Sequence, residues 1–234
     1  MNSLKFSLKV YIYNPQGIEE LHPDYFHTNV SIPVLDASIQ IDEVQVEIRN
    51  MKPDKSSGPD GLCPGALKLL PAQWIVAITA LLNVVFSSSN YPVSWRPARM
   101  FTIYKKGNRN IPRNYRGINV INCLAKLSDL VLSKRLSLWF VPHREQAGSQ
   151  RGRGCIEHVV TLRLLTDFAR RKKRKLFVTF VDFVMAYDRV PRIVLFRILK
   201  RLGCGAVMLA APISMYTVTH SVIRTAAVCY LQFL

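Results

Sequence analysis

Two kinds of side chain in this sequence are placed to do chemistry. Carboxylates close an apolar run, and cations gather around a short turn. Phe180-Val181-Asp182-Phe183 ends the run Leu176–Val181, and Ala186-Tyr187-Asp188 follows. A carboxylate at the end of a buried strand is costly unless it is paired, hydrogen-bonded or bound to metal. Strand ends are also where α/β-type enzymes hold ligands. The plainer alternative is a turn-forming or helix-capping Asp ahead of Pro191. Upstream, Lys105-Lys106-Gly107, then Arg113 and Arg116, are of the types that cradle phosphates. Their plainer alternative is a solvated charge cluster. The run Arg170–Lys175 reads equally as a nuclear-import signal, a nucleic-acid patch or the exposed basic end of a helix.

The elements that must position these residues follow from periodicity. Ile41, Val44, Ile48 and Met51 share one face of a helix over about 41–51. It runs into Lys52-Pro-Asp-Lys-Ser-Ser-Gly-Pro-Asp-Gly61, a turn by composition. A helical region continues to Phe86, with Pro71 suited to a first turn. Arg99–Tyr104 alternates weakly and reads as a strand, closed by a basic hairpin tip that ends near Arg113. A long amphipathic helix covers 121–140, with Leu124, Leu127, Val131 and Leu138 on its apolar face. Gly148, Gly152 and Gly154, interleaved with Arg151 and Arg153, make a basic loop. Another helix runs from about Ile156 into the basic run. Leu176–Val181 reads as a buried strand. Pro191 opens a last helix, with Leu195, Phe196, Leu199 and Leu202 inward, and Gly203 closes it. The tail from Gly205 to Leu234 is apolar, and its expected state is loose or exposed packing.

Composition sharpens the choice among function classes. The 234 residues are 49% hydrophobic and 20% charged, which excludes a disordered chain and permits a sizeable core. The formal net charge is +17, and it is concentrated. Residues 1–95 hold 6 basic and 9 acidic side chains, whereas residues 96–206 hold 25 basic and 6 acidic. A phosphate-binding surface has that distribution; a solubility device spread over the whole chain does not. Five scattered cysteines show no metal-ligand spacing and suggest reduced thiols in an intracellular protein. No signal peptide is expected, and no apolar run reaches the roughly 20 residues that span a bilayer.

Five blocks, in order, resemble the reverse transcriptase of non-LTR (LINE-type) retrotransposons, over about 41–227. Lys52–Gly61 is similar to the N-terminal K-x-x-G-P-D-G block. Trp95-Arg-Pro-Ala through Ile103-Tyr-Lys-Lys-Gly107 resembles the first fingers strand, and Asn114-Tyr-Arg-Gly-Ile118 the second. Glu145-Gln-Ala-Gly148 through Gly152-Arg-Gly-Cys155 resembles the next block. Phe180-Val-Asp-Phe183 with Ala186-Tyr-Asp188 resembles the first palm motif.

The resemblance implies an RNA-directed DNA polymerase that performs template-directed nucleotidyl transfer. It implies an α+β fold: right-hand polymerase fingers and partial palm, helices packed on a small, mostly antiparallel sheet. By the same resemblance, Asp182 is the first metal-binding carboxylate and the backbone carbonyl of Phe183 serves the second metal. Tyr187 closes the pocket beside the sugar. Arg116 grips the incoming triphosphate, and Lys105 and Lys106 contact template or phosphate. Gln146 to Arg153 lies along template and primer. Mg²⁺ is the family's metal, since carboxylates suit a hard cation and two such ions clamp the attacking and leaving oxygens. RNA template, DNA primer and dNTP are the implied partners.

The sequence also departs from the pattern. A glycine-rich R-Q-G segment and the later aspartate pair are missing, and no Asp or Glu follows Asp188. Met185 stands where Lys is usual, and Gly117 where many relatives have Pro. The expectation is therefore a leader over 1–35, fingers and the first part of the palm over 36–227, and a divergent tail over 228–234, without polymerase activity as it stands. A basic nucleic-acid-binding remnant without catalysis is the competing expectation.

Overall fold

The computed structural model describes residues 26–150, 152–183, 186–187, 189–217, 219–224 and 230–233. Its helices are α1 (Pro33–Asp36), α2 (Ile41–Asn50), α3 (Pro64–Lys68), α4 (Ala72–Ser88), α5 (Cys123–Trp139), α6 (Cys155–Arg171), α7 (Arg192–Arg201) and α8 (Ala206–Tyr216). Its strands are β1 (Pro97–Tyr104), β2 (Tyr115–Val120), β3 (His220–Arg224) and β4 (Tyr230–Phe233). The chain divides into two compact units. One is drawn from residues up to Leu136 and from Pro191 onward, the other from Ser137–Val190.

In the first unit, local chemistry sets several helix boundaries. The Gln40 amide donates to Glu43 Oε2 at 2.8 Å, which satisfies a free amide at the start of α2. Pro71, with φ −59°, leads into α4. The α8 start is held from a distance: Asp36 accepts from the Met208 amide at 3.0 Å and from the Ile32 amide at 2.9 Å. The core forms around Leu35, Val44, Leu82, Leu127, Val131, Phe196, Met208 and Leu209, each at most 1% exposed. Phe196 packs edge-on to Phe26, and α8 lies against α1, α4 and α7.

The sheet has the order β2-β1-β3-β4. β1 and β2 form an antiparallel hairpin whose register runs from Arg99 opposite Val120 to Tyr104 opposite Tyr115. β3 adds to β1 in parallel, with Pro97 opposite His220, and β4 pairs antiparallel with β3. Two of the three pairings are antiparallel, so helices together with a small, mostly antiparallel sheet are compatible with the expected α+β class.

Three expectations are corrected. The first part of the tail after Gly205 is not loose: Met208, Leu209, Ala211 and Ile213 of α8 are buried, because their apolar face meets three helices; the expectation for 225–229 and Leu234 falls outside the described residues. Within α7 only Phe196 is buried, whereas Leu195, and Leu202 just after the helix, are exposed. Leu176–Val181 forms no strand. Phe177 and Phe180 are 88% and 83% exposed. A strand exists only through its ladder, and no described strand belongs to the unit 137–190.

That second unit contains α6, which buries none of its residues. Ile156, Val159, Val160, Leu164, Leu165 and Phe168 are all exposed. The unit's ordering is polar and local. Arg153 donates to Glu157 Oε2 at 2.6 Å and 2.8 Å, and to the carbonyls of Arg144 and Gln146 at 2.6 Å and 2.8 Å.

Candidate nucleic-acid interface

The cations expected on a turn do sit on one. From Arg96 to Ser128 the sequence has no Asp or Glu, and the β1–β2 hairpin carries the middle of that stretch to its tip. Past Tyr104 the ladder continues by one bond, from the Lys105 amide to the Asn114 carbonyl at 2.8 Å. Gly107 then turns the chain at φ +93°, a conformation that favours glycine. A methyl there would also lie 2.7 Å from Asn114 Nδ2.

The tip is braced by its own side chains. The Tyr104 hydroxyl donates to the Gly107 carbonyl, and the Tyr115 hydroxyl to the Arg109 carbonyl at 2.9 Å. Asn114 Nδ2 donates to the Asn108 carbonyl at 2.7 Å. The rings of Tyr104 and Tyr115 meet edge-on at 5.6 Å, and the Arg109 guanidinium lies 5.2 Å from the centre of the Tyr104 ring. Bracing of this kind reduces the conformational entropy left to the tip.

Lys105, Lys106 and Arg109 are exposed on this frame, as is Arg116 in β2 opposite Ile103. Among the described residues none of the four forms an ion pair with a carboxylate. Arg113 lies in the short 3₁₀ turn Pro112–Asn114 that returns the chain to β2; its side chain lies outside the described residues. Arg109 was missed by the sequence reading. Its signal was available: it is a further cation between Lys106 and Arg113, within a turn-rich segment.

The remaining expected site residues fall in the second unit. Gln146 Nε2 donates to the Gly148 carbonyl at 3.1 Å. Arg153 is held by Glu157, whose carboxyl stays below its ordinary range because of that hydrogen bond, while the guanidinium is raised by the same bond. Arg153 thus serves the loop's internal order. Arg151 and Asp188 lie outside the described residues. Asp182, Phe183 and Tyr187 are exposed, the last two at 75% and 90%. Among the described residues no group of three or more His, Cys, Asp or Glu gathers as metal ligands. Within its motif Asp182 is the described carboxylate, and a two-metal centre draws acids from two places. Among the described residues, no helix is long and apolar enough to cross a membrane.

The geometry therefore shows a rigid, cationic hairpin and an exposed acidic motif, and comparison with known proteins gives them a context. No family model matches the chain. Over 168 residues, 69% of the chain, it is 28% identical to a probable RNA-directed DNA polymerase from transposon BS of Drosophila melanogaster. It is 27% identical over 81% of its length to an uncharacterized 149 kDa protein of transposon TX1 from Xenopus laevis. It is also 27% identical, over 69% of its length, to the Pol polyprotein of a type-1 R2 retrotransposable element of Popillia japonica. The chain spans 18%, 15% and 22% of these relatives' lengths. The class it resembles is the reverse transcriptases of mobile elements. Within that class its relatives are non-LTR retrotransposons, and its similarity is to their reverse transcriptase domain.

Proposed function

We propose that the chain is the fingers and first palm segment of a non-LTR reverse transcriptase, and that the β1–β2 tip is its phosphate-binding surface. The observation that carries this reading is the braced tip with Lys105, Lys106 and Arg109 exposed, Arg116 beside it, and no described carboxylate paired to any of them. Ammonium groups supply charge to the backbone of an RNA template or DNA primer. The planar fork of Arg116 suits two oxygens of a dNTP triphosphate. Gln146, with Arg151 and Arg113, extends the same role. Arg153 would first have to release Glu157.

On this reading Asp182 and the backbone carbonyl of Phe183 would hold the metals, and the Tyr187 ring would lie beside the sugar of the incoming nucleotide. On the same reading the 234-residue polypeptide binds nucleic acid.

The test is binding of single-stranded RNA and of an RNA–DNA primer-template at several salt concentrations. Four phosphate contacts predict roughly a hundredfold loss of affinity between about 50 and about 200 mM salt. Charge reversal at Lys105, Lys106 and Arg116 together is expected to flatten that dependence and weaken binding at low salt. Affinity insensitive to salt, or unchanged in the triple variant, overturns the reading.

A further inference from the structure

The Lys52–Gly61 block has no role in the site described so far, yet its second half is bonded to the base of the β1–β2 hairpin. Asp60 is the centre of that attachment. Its Oδ2 accepts from the Cys123 amide at 2.8 Å, one of the free amides at the start of α5. Its Oδ1 accepts from the Leu62 amide at 3.2 Å, and its own amide donates to Asn122 Oδ1 at 3.2 Å. Asn122 is buried, and its Nδ2 donates to the Ser94 carbonyl at 2.5 Å. Ser94 lies just before β1, and Asn122 just after β2.

One polar chain therefore joins the two open ends of the hairpin to a single turn. The approach leaves no slack. A methyl on Gly58 would lie 2.3 Å from the Ile121 carbonyl oxygen, so only glycine lets the turn seat there.

We propose that Gly58, Asp60 and Asn122 are positioning residues that fix the base of the β1–β2 hairpin and thereby aim its cationic tip. The proposal rests on the tip being the phosphate-binding surface. The physical reason is leverage. The tip is braced within itself, so its direction is set where the strands enter and leave the fold. Asp60 also neutralises the positive end of α5 at that point.

The experiment compares Asp60→Ala, Asp60→Asn and Gly58→Ala with Asp36→Ala in the full chain. Asp36 holds the start of α8 by the same kind of long-range contact and does not touch the hairpin base, so it controls for loss of stability alone. Two readouts are taken at a temperature where every variant is folded: RNA affinity at low salt, and alkylation of the buried Cys123. Asp60→Ala and Gly58→Ala are expected to speed Cys123 alkylation and to weaken RNA binding about tenfold, as when charge-assisted contacts lose their alignment. Asp60→Asn keeps an oxygen for the Cys123 amide and is expected to retain part of the affinity. Asp36→Ala is expected to lower stability, free Cys204 and bind RNA as the parent does.

Normal RNA affinity in Asp60→Ala and Gly58→Ala, with Cys123 released, overturns the proposal. So does an equal loss of affinity in Asp36→Ala. If the triple charge reversal also leaves binding intact, the tip is not the binding surface and the two proposals fall together. If that reversal weakens binding while the Asp60 and Gly58 variants do not, only the positioning role falls.

Discussion

α5 and α6 are each seventeen residues long, yet α5 buries seven side chains and α6 buries none. Their apolar content does not explain this. α6 has Ile156, Val160, Leu164 and Phe168 on successive turns of one face, a cleaner stripe than α5 carries. The difference is in what covers the stripe. α5 inserts Leu127 and Val131 into the first unit's core, whereas among the described residues of the second unit no apolar layer is laid against α6. Burial is thus a property of the assembly around a helix, and periodicity reports only which face is available for it.

The α5 face even contains a charge. Arg135 falls four residues after Val131, where the stripe calls for an apolar side chain, and it is 4% exposed. It forks onto both oxygens of Glu43 at 2.8 and 2.7 Å and donates to the carbonyls of Leu35, Ala37 and Ser38. It also lies 5.6 Å from the centre of the Phe86 ring. A buried arginine with its partners satisfied holds α5 to the α1–α2 connection, but removing it strands the Glu43 charge and three carbonyls.

The comparison can be broken at its strongest point first. Arg135→Ala is expected to cost about 3–5 kcal/mol in urea unfolding, since it leaves an uncompensated, partly buried charge. The Arg135 hydrogen bond lowers the Glu43 pKa. This pair therefore stabilises the fold above the carboxylate's unfolded pKa, and its contribution disappears as pH falls through the lower folded value. The parent and Arg135→Ala should accordingly converge in stability in acid. A constant gap down to low pH would remove Glu43 from the explanation.

Matched truncations come next. Leu127→Ala on α5 is expected to cost about 2–5 kcal/mol. Leu164→Ala on α6, at a residue 63% exposed, should change unfolding by less than about 0.5 kcal/mol. Replacing Val160, Leu164 and Phe168 with polar residues should raise the solubility of the purified chain, because a contiguous exposed apolar patch promotes association. A large stability loss from Leu164→Ala would show that something covers α6 after all.

A third effect lies within α5. Asp129 has a buried oxygen without a hydrogen-bond partner among the described residues, and burial pushes its carboxyl up to about 6. The folded value is above the unfolded one, so ionisation works against the fold. The penalty is absent in acid and complete once pH has risen through about 6. Asp129→Asn should therefore stabilise the chain by about 1–3 kcal/mol at neutral pH and by little near pH 3. No gain at neutral pH would mean that Asp129 finds a compensating partner when charged.

The smallest effect is kinetic and needs no mutation. Cys63 and Cys155 are exposed, while Cys123 and Cys204 are buried and pushed up to about 11, burial being the main cause in each. A thiol-alkylating reagent at neutral pH should label the first pair quickly and the second only on unfolding. Equal labelling of all four would contradict the packing at both helix starts.

These tests also mark what the sequence could disclose. Ile41–Asn50, β1 with the turn after it, and α5 were legible because each is specified by local periodicity and a turn; β2 was legible only through the resemblance. Lys105, Lys106 and Arg116 were legible because charge clusters on a surface are visible as charge. Asp60 and Arg135 were not, since each acts on a partner far along the chain: 63 positions away for Asp60 and Cys123, and 92 for Arg135 and Glu43. Leu176–Val181 was misread because an apolar run specifies a strand only where a neighbouring strand offers its hydrogen bonds. The β3–β4 pair was overlooked because its apolar stretch gives no hint of the parallel partner it finds.

That parallel pairing has a consequence in time. β1 and β3 lie side by side although more than a hundred residues separate Pro97 from His220. During synthesis the β1–β2 hairpin can close soon after it emerges, but the other edge of β1 must wait until α8 and then β3 have been made. Contacts of such separation slow folding, and an open strand edge invites pairing with another chain meanwhile. The nascent polypeptide thus passes through a period in which β1 is half satisfied. The rate of its translation between β2 and β3 becomes a determinant of how much chain reaches the sheet instead of an aggregate.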